Sequence, residues 1–312
     1  MKTKIWIALL TLYIVWGSTY LAIRFTVETI PPFLSAGIRF LVSGVILLIW
    51  RRAAGDAIPT KRQWRSTAIV GIFLLLGGNG LVSFAEQYVP SGVAALTIAS
   101  MPLWLVGIEA VRPGGVKPNW SAIVGLILGF GGIFLLVGPA KLVGGGHTFN
   151  SLGVSAILAA AFLWSLGSIY SRNVDMPKSS LMGTGAEMLT GSVALFIVSG
   201  LTGEWNSFSF SHVAISSWLG LAYLITIGSL VGFGSYGWLL QNAPISLVAT
   251  YPYVNPLVAV FLGAWLANEA LNTRILVAAL IIIGSVVLIN QTKSKPKILE
   301  KIRVAAARKT PG

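Results

Sequence analysis

The chain contains no cysteine. Disulfides and thiolate-held metal centres are thereby excluded, while the redox state of its compartment is left open. Charge is scarce as well: 10% of 312 residues, against about 25% in an ordinary soluble domain. Only nine residues are acidic and two are histidine. His147 and His212 stand apart in loops without companion acids at ligand spacing, so no metal site is expected. No G-x-x-x-x-G-K-[ST] phosphate loop occurs, and nothing suggests ATP hydrolysis. Runs of about ten residues alternating apolar and polar, the mark of an outer-membrane barrel, are also missing.

What is present is apolar: 55% of the chain, with a mean hydropathy of +0.82. A bilayer core about 30 Å thick requires roughly 20 apolar residues per helix. Stretches of that length fall at 5–26, 33–50, 66–86, 91–111, 119–137, 150–171, 179–201, 214–237, 245–266 and 273–290. The fold class expected is all-α, a polytopic membrane protein with ten transmembrane helices. The first stretch follows Lys2 and Lys4, but it exceeds a signal-peptide core and lacks a small-residue cleavage site, so it is read as a retained helix. The net charge of +13 is distributed by side. With the N-terminus inside, 18 of the 22 Lys and Arg fall in cytoplasmic segments, the pattern of the positive-inside rule. A multi-pass protein of the cell (inner or plasma) membrane with both termini cytoplasmic is the expectation. The basic tail at 292–312 then serves as an anchor for anionic headgroups rather than for nucleic acid.

The two halves repeat one another. WGSTYLAIRF at 16–25 aligns with WSLGSIYSRN at 164–173 at an offset of 148, placing Trp16 over Trp164 and Arg24 over Arg172. PSGVAALTIASMP at 90–102 aligns with PISLVATYPYVNP at 244–256 at an offset of 154. Units 1–138 and 150–291 each hold five helices, an odd number, so the second must enter the membrane from the opposite side. Two inverted five-helix repeats are expected, an arrangement that places a transporter's substrate site near the midplane between them. Gly125 with Gly129 and Gly228 with Gly232 are small-xxx-small pairs that permit close helix approach.

The WGSTYLAIRF opening, the Pro-Pro turn with AGIRF, ALTIASMPLW, and ATYPYVNPLVAVFLGAWLANEAL resemble the EamA domain, present twice, as in the ten-helix branch of the drug/metabolite transporter superfamily. That resemblance covers nearly the whole chain. It implies export or exchange of small metabolites, amino acids among them, by a secondary mechanism. The family's Glu after the fourth helix of a repeat matches Glu269, whereas the first half has Gly115 in that place.

The prolines point to a site. Pro102 and Pro256 fall about 16 Å into the core when counted at about 1.5 Å per residue. Each removes a backbone donor, as does Pro252, freeing carbonyls that are tolerated at this depth only beside protein or water. Three helix kinks lining a polar cavity are therefore expected. Thr97, Met101 and Trp104 share one helical face, as do Tyr251, Asn255 and Val258. An intramembrane Asn is costly unless bonded, so Asn255 either lines the cavity or ties two helices together. Trp16 with Tyr20 and Trp164 with Ser168 are i, i+4 pairs on the first helix of each repeat. Asn79 sits among three glycines that could open its helix. Arg39 and Glu187, again 148 apart, are buried charges about 9 Å apart vertically, too far for a direct bridge. Arg39 either holds an anionic group or satisfies freed carbonyls, and Glu187 either titrates and gates or bonds a neighbouring hydroxyl. Glu109 and Arg112 form a structural i, i+3 pair.

The substrate-binding set expected is thus Trp16, Tyr20, Arg39, Asn79, Thr97, Met101, Trp164, Ser168, Glu187, Tyr251 and Asn255. The function expected is alternating-access transport of small amphipathic metabolites, without cofactor, metal or nucleic acid. Its partners are a small-molecule substrate and the lipid bilayer, and a homodimer is compatible with the sequence. The other class considered, an intramembrane enzyme acting on lipid or polyprenyl substrates, needs acids that converge at one face. Here they are scattered at 86, 109, 187 and 269.

Overall fold

The computed structural model describes residues 2–113, 118–137, 150–243 and 251–293, and among them every regular element is helical. In chain order these are α1 (Lys2–Thr26), α2 (Pro32–Ala53), α3 (Lys61–Ala85), α4 (Ser91–Ile98) and α5 (Met101–Val111). They continue with α6 (Trp120–Val137), α7 (Ser151–Ser171), α8 (Ser180–Leu201), α9 (Ile215–Asn242), α10 (Tyr251–Leu266) and α11 (Thr273–Lys293), with single helical turns at Glu204–Ser207 and Phe210–His212 between α8 and α9. Seven segments are long and apolar enough to cross a bilayer, α4 and α5 counting as one. Trp120–Leu136, Val254–Leu266 and Thr273–Leu288 are shorter apolar helices. Large apolar side chains point outward, Ile49 at 66% exposure, Leu280 at 74% and Leu201 at 83%. Such a surface suits hydrocarbon and not water.

Local chemistry sets the helix limits. Pro31 and Pro32 open α2, where a missing N–H costs nothing. Thr60 and Gln63 form a reciprocal capping box at the start of α3. The Asn150 side chain accepts from the amides of Leu152 and Gly153 to start α7, and Ser179 accepts from Met182 to start α8. At the end of α2, Arg51 donates to Asp56 over 2.8 Å, and this hydrogen bond holds the Asp56 carboxyl below its ordinary range.

The halves pair element against element: α2 packs on α8, α6 on α11, α1 on α10, and α7 on both α4 and α5. Glycine sets the separations. A Cβ on Gly17 would lie 2.6 Å from Cβ of Val258 and 3.0 Å from the carbonyl oxygen of Asn255, so α1 approaches α10 only because position 17 has no side chain. Gly17→Val is accordingly expected to destabilise the protein by about 1–3 kcal/mol, the usual cost of overpacking. The check is a lower midpoint of thermal aggregation in detergent; an unchanged midpoint would remove Gly17 from the contact.

Both third-helix segments depart from α geometry at matching places. Ile72–Gly80 in α3 and Leu224–Val231 in α9 are π-helical. Widening the turn displaces carbonyls from their usual i, i+4 partners and makes them available to neighbours. In α9 the Gly228 carbonyl accepts from Trp16 Nε1 at 3.3 Å, and the Ile225 carbonyl from Ser43 Oγ at 3.3 Å. The π segment of α9 thereby ties the first half to the second at mid-depth.

The prolines behave unequally. The helix stops at Ile98, and Ala99 and Ser100 form a turn in which Ser100 Oγ donates to the Thr97 carbonyl at 2.6 Å. Pro102 then lies in the first turn of α5, where its ring is tolerated. Pro256, by contrast, lies inside α10, which runs on to Leu266 without a break. The expected pair of equivalent interruptions is thus corrected: Ser100 competes for the backbone ahead of Pro102, whereas the described residues around Pro256 stay helical. Pro252 falls in the first turn of α10 with its side chain outside the described residues, as are the segment at 244–250 and Gly115.

Candidate functional site

A cavity of about 100 Å³ lies between the halves, walled by α1, α2, α3, the α4–α5 break, α7, α9 and α10. From α1 come Trp16, Thr19, Tyr20 and Ile23, whose spacing of three to seven residues puts them on one face. Trp16 anchors the wall. Its indole donates to the Gly228 carbonyl, and its ring packs edge-on against Phe233 at 5.1 Å and Tyr251 at 5.0 Å. Opposite, Trp164 of α7 covers the π segment of α3, where a Cβ on Gly78 would come within 2.5 Å of its Cε3. Asn79, next to that glycine, reaches back to the Leu74 carbonyl at 3.4 Å while lining the cavity. The walls are therefore mainly aromatic.

Two polar groups stand out. Arg39 is 5% exposed, with Nε donating to Ser229 Oγ at 3.0 Å and its guanidinium 4.7 Å from the centre of the Phe40 ring. No carboxylate among the described residues lies within ion-pair distance of Arg39, whereas Arg51 has Asp56 and Arg112 has Glu109. Asn255, 7% exposed and facing the same space, has an Oδ1 with no hydrogen-bond partner. A buried amide oxygen without a partner costs about 1–3 kcal/mol, and a buried unpaired cation costs more. A ligand carrying an acceptor pair for Arg39 and a donor for Asn255 would relieve both.

Of the residues picked out in the sequence, Trp16, Tyr20, Arg39, Asn79, Met101, Trp164, Tyr251 and Asn255 meet around this cavity. Thr97, Ser168 and Glu187 do not. Thr97 is fully buried and bonds the Val93 carbonyl at 2.8 Å, because the turn at Ala99–Ser100 shifts the helical phase and presents Ile98 in its place. Trp104, expected on the same face, packs instead between Phe130 and Phe162. Ser168 Oγ returns to the Trp164 carbonyl at 2.8 Å, a turn beyond the cavity wall. Glu187 lies where α8 meets α3, its carbonyl against Gly71; it is not among the residues lining the cavity and makes no ion pair with Arg39. Thr19, Ile23, Gly78, Val82, Ile98 and Phe233, which do not stand out in the sequence, complete the wall. Thr19 and Ile23 carry only their i+3 and i+7 spacing from Trp16 as a signal; Phe233 carries none.

One end of the bundle is closed by carboxylates crossing between halves. Glu204 accepts from the amides of Phe33 (3.2 Å) and Leu34 (2.8 Å) at the start of α2. Glu269 accepts from Ser91 (2.7 Å) and Gly92 (3.0 Å) at the start of α4. Each satisfies helix N-terminal donors and complements the positive end of the helix dipole. Glu269 is delivered by a left-handed turn at Asn268 (φ 52°), whose following amide bonds the Gly263 carbonyl at 3.0 Å. This gives the Glu after the fourth helix of the second half a structural task. No group of three or more His, Asp or Glu close enough to hold a metal occurs among the described residues.

Residues 3–138 and 151–291 each match the EamA-like transporter family. The inner membrane transporter YedA of Escherichia coli (strain K12) is 36% identical over 305 residues, covering 96% of each chain. A transporter of Bacillus subtilis (strain 168), YvbV, is 28% identical over 94% of this chain and 93% of its own. A protein of Escherichia coli (strain K12) named a probable amino-acid metabolite efflux pump is 24% identical, over 91% of this chain and 94% of its own. A solved crystal structure shares the fold with a TM-score of 0.62 at 21% identity, covering 92% of this chain and 98% of that one. With two family domains filling its length and apolar helices to cross a bilayer several times, the chain is a multi-pass membrane transporter belonging to the EamA family.

Proposed function

We propose that this transporter exports small amphipathic metabolites bearing a carboxylate, amino acids and their relatives, by alternating access between two inverted repeats. The carrying observation is Arg39, a buried cation on the wall of an aromatic cavity with no carboxylate among the described residues within ion-pair distance. A guanidinium presents planar paired donors that match a carboxylate, and burial removes the competing water. Aromatic faces around it accept the apolar part of the solute. The pairing of like elements across the halves supports a pseudo-twofold relation. The name of the amino-acid metabolite efflux relative agrees with the solute class. On the positive-inside pattern both termini face the cytoplasm, which makes the end sealed by Glu204 and Glu269 the outer one.

Purified protein in liposomes is expected to exchange radiolabelled carboxylated solutes against unlabelled ones. A panel of amino acids, sugars and cationic drugs in which none exceeds empty liposomes would overturn the proposal. Within that assay Asn255→Leu is expected to weaken apparent affinity about tenfold, the worth of one hydrogen bond made in a dry site, with the protein still monodisperse. Unaltered affinity would take Asn255 out of the site.

A further inference from the structure

Glu86 ends α3 one turn beyond Val82, which lines the cavity, and so lies between the cavity and the sealed end. It is fully buried, and neither carboxyl oxygen has a hydrogen-bond partner. The nearest cation only partly serves it: Arg24 Nη1 donates to the backbone carbonyl of Glu86 at 2.9 Å, so its charge lies close by, but it makes neither a hydrogen bond nor an ion pair with the carboxyl, and burial outweighs its attraction. An isolated carboxylate removed from water is among the costliest groups a protein can bury, and such a group takes up a proton instead. We propose that Glu86 is a proton-binding site at the outer gate, so that closing this end of the transporter requires uptake of a proton from the outer solution.

The neighbourhood supports this assignment. The titratable groups around it are Tyr20 and Arg24 from α1 and Glu269 from the loop after α10. Glu269 is already engaged as an acceptor by the Ser91 and Gly92 amides, so its negative charge opposes a second one on Glu86. The parts of α7 and α4 that flank this end, Ser151–Phe162 and Ser91–Ile98, carry no titratable side chain. In α2, Arg39 is held on Ser229. Tyr20 lines the cavity as well and is close enough to Glu86 to interact with it electrostatically. When the halves part at this end, water reaches Glu86 and the charged form becomes affordable; when they close, the proton must return. External acidity therefore favours closure, and alkalinity holds the gate open.

This inference uses the orientation adopted under the proposed function, yet its test needs no solute. The chain has no cysteine, so a single Val82→Cys variant reports access to the passage between Glu86 and the cavity. A membrane-impermeant maleimide is added outside proteoliposomes across pH 5–9, and each rate is divided by that of a Glu28→Cys control in the exposed outer turn. The normalised rate is expected to rise at least tenfold with pH, to be low and flat when Glu86→Gln is added, and to keep its rise with Glu86→Asp. A flat profile with Glu86 intact, or an unchanged rise with Glu86→Gln, overturns the proposal. A second measurement covers the chance that Glu86→Gln does not fold: at neutral pH the infrared spectrum of Glu187→Gln, which removes the other enclosed acid of the spans, should retain the carbonyl band of a buried protonated carboxyl, and its absence is equally fatal. Solute exchange without this pH response would leave the transport reading standing and remove only the gate.

Discussion

Arg39→Gln is expected to slow exchange of carboxylated solutes by about 10- to 100-fold, since a hydrogen bond to a charged group is worth about 1.5–3 kcal/mol and each 1.4 kcal/mol is a factor of ten. Glutamine keeps a donor for Ser229 Oγ, now 3.0 Å from the guanidinium, so the packing of α2 on α9 is largely retained. The diagnostic comparison is with the amide of the same solute. Its exchange, slow in the unmodified protein, should change little in the variant, because the lost interaction is with the carboxylate alone. Arg39→Lys should fall between the two, retaining charge but not the paired planar donors. Equal losses for acid and amide would assign Arg39 to holding the helices together.

Gly78→Leu should abolish exchange of every solute. Even the first carbon of a side chain there would stand 2.5 Å from Trp164, so the indole or the π segment must move, and the remaining atoms have only a cavity of about 100 Å³ to enter. Overpacking of this kind costs about 1–3 kcal/mol, which lowers stability without unfolding the chain. Gly131→Leu is the matched control, because a Cβ at that position meets nothing within 4 Å. The expected outcome is background flux for the first variant and ordinary flux for the second, both monodisperse. Flux through Gly78→Leu would mean that solute passes elsewhere.

The sequence carried the membrane character because hydropathy is an additive property that survives without knowledge of contacts. It carried the repeat through residues whose spacing is rigid, Trp16 over Trp164 and Pro102 over Pro256. Most of the cavity wall followed, since Trp16, Tyr20, Arg39 and Asn255 stand out as costly residues in an apolar helix. Thr97 was misplaced for a definite reason. Counting i, i+4 across a proline assumes one continuous helix, whereas the turn at Ala99–Ser100 resets the phase and exposes Ile98. The equivalence of the two prolines failed similarly, because whether a helix breaks depends on which neighbouring group takes up the backbone bonds. Glu86, Glu204 and Glu269 were invisible as a group. Each lies at a span end, where sequence alone supplies water, and only the tertiary arrangement shows two of them capping helices of the other half and the third enclosed without a partner.

The cavity between the halves is tested most directly by single cysteines in this cysteine-free chain. Met101→Cys, on the wall, should react with a membrane-impermeant maleimide from one side of the membrane at a time, and saturating exchanged solute should protect it. Thr97→Cys, one turn away and fully buried against its own helix, should stay unmodified under the same conditions. Fast, solute-independent modification of Thr97→Cys with Met101→Cys inert would contradict the account.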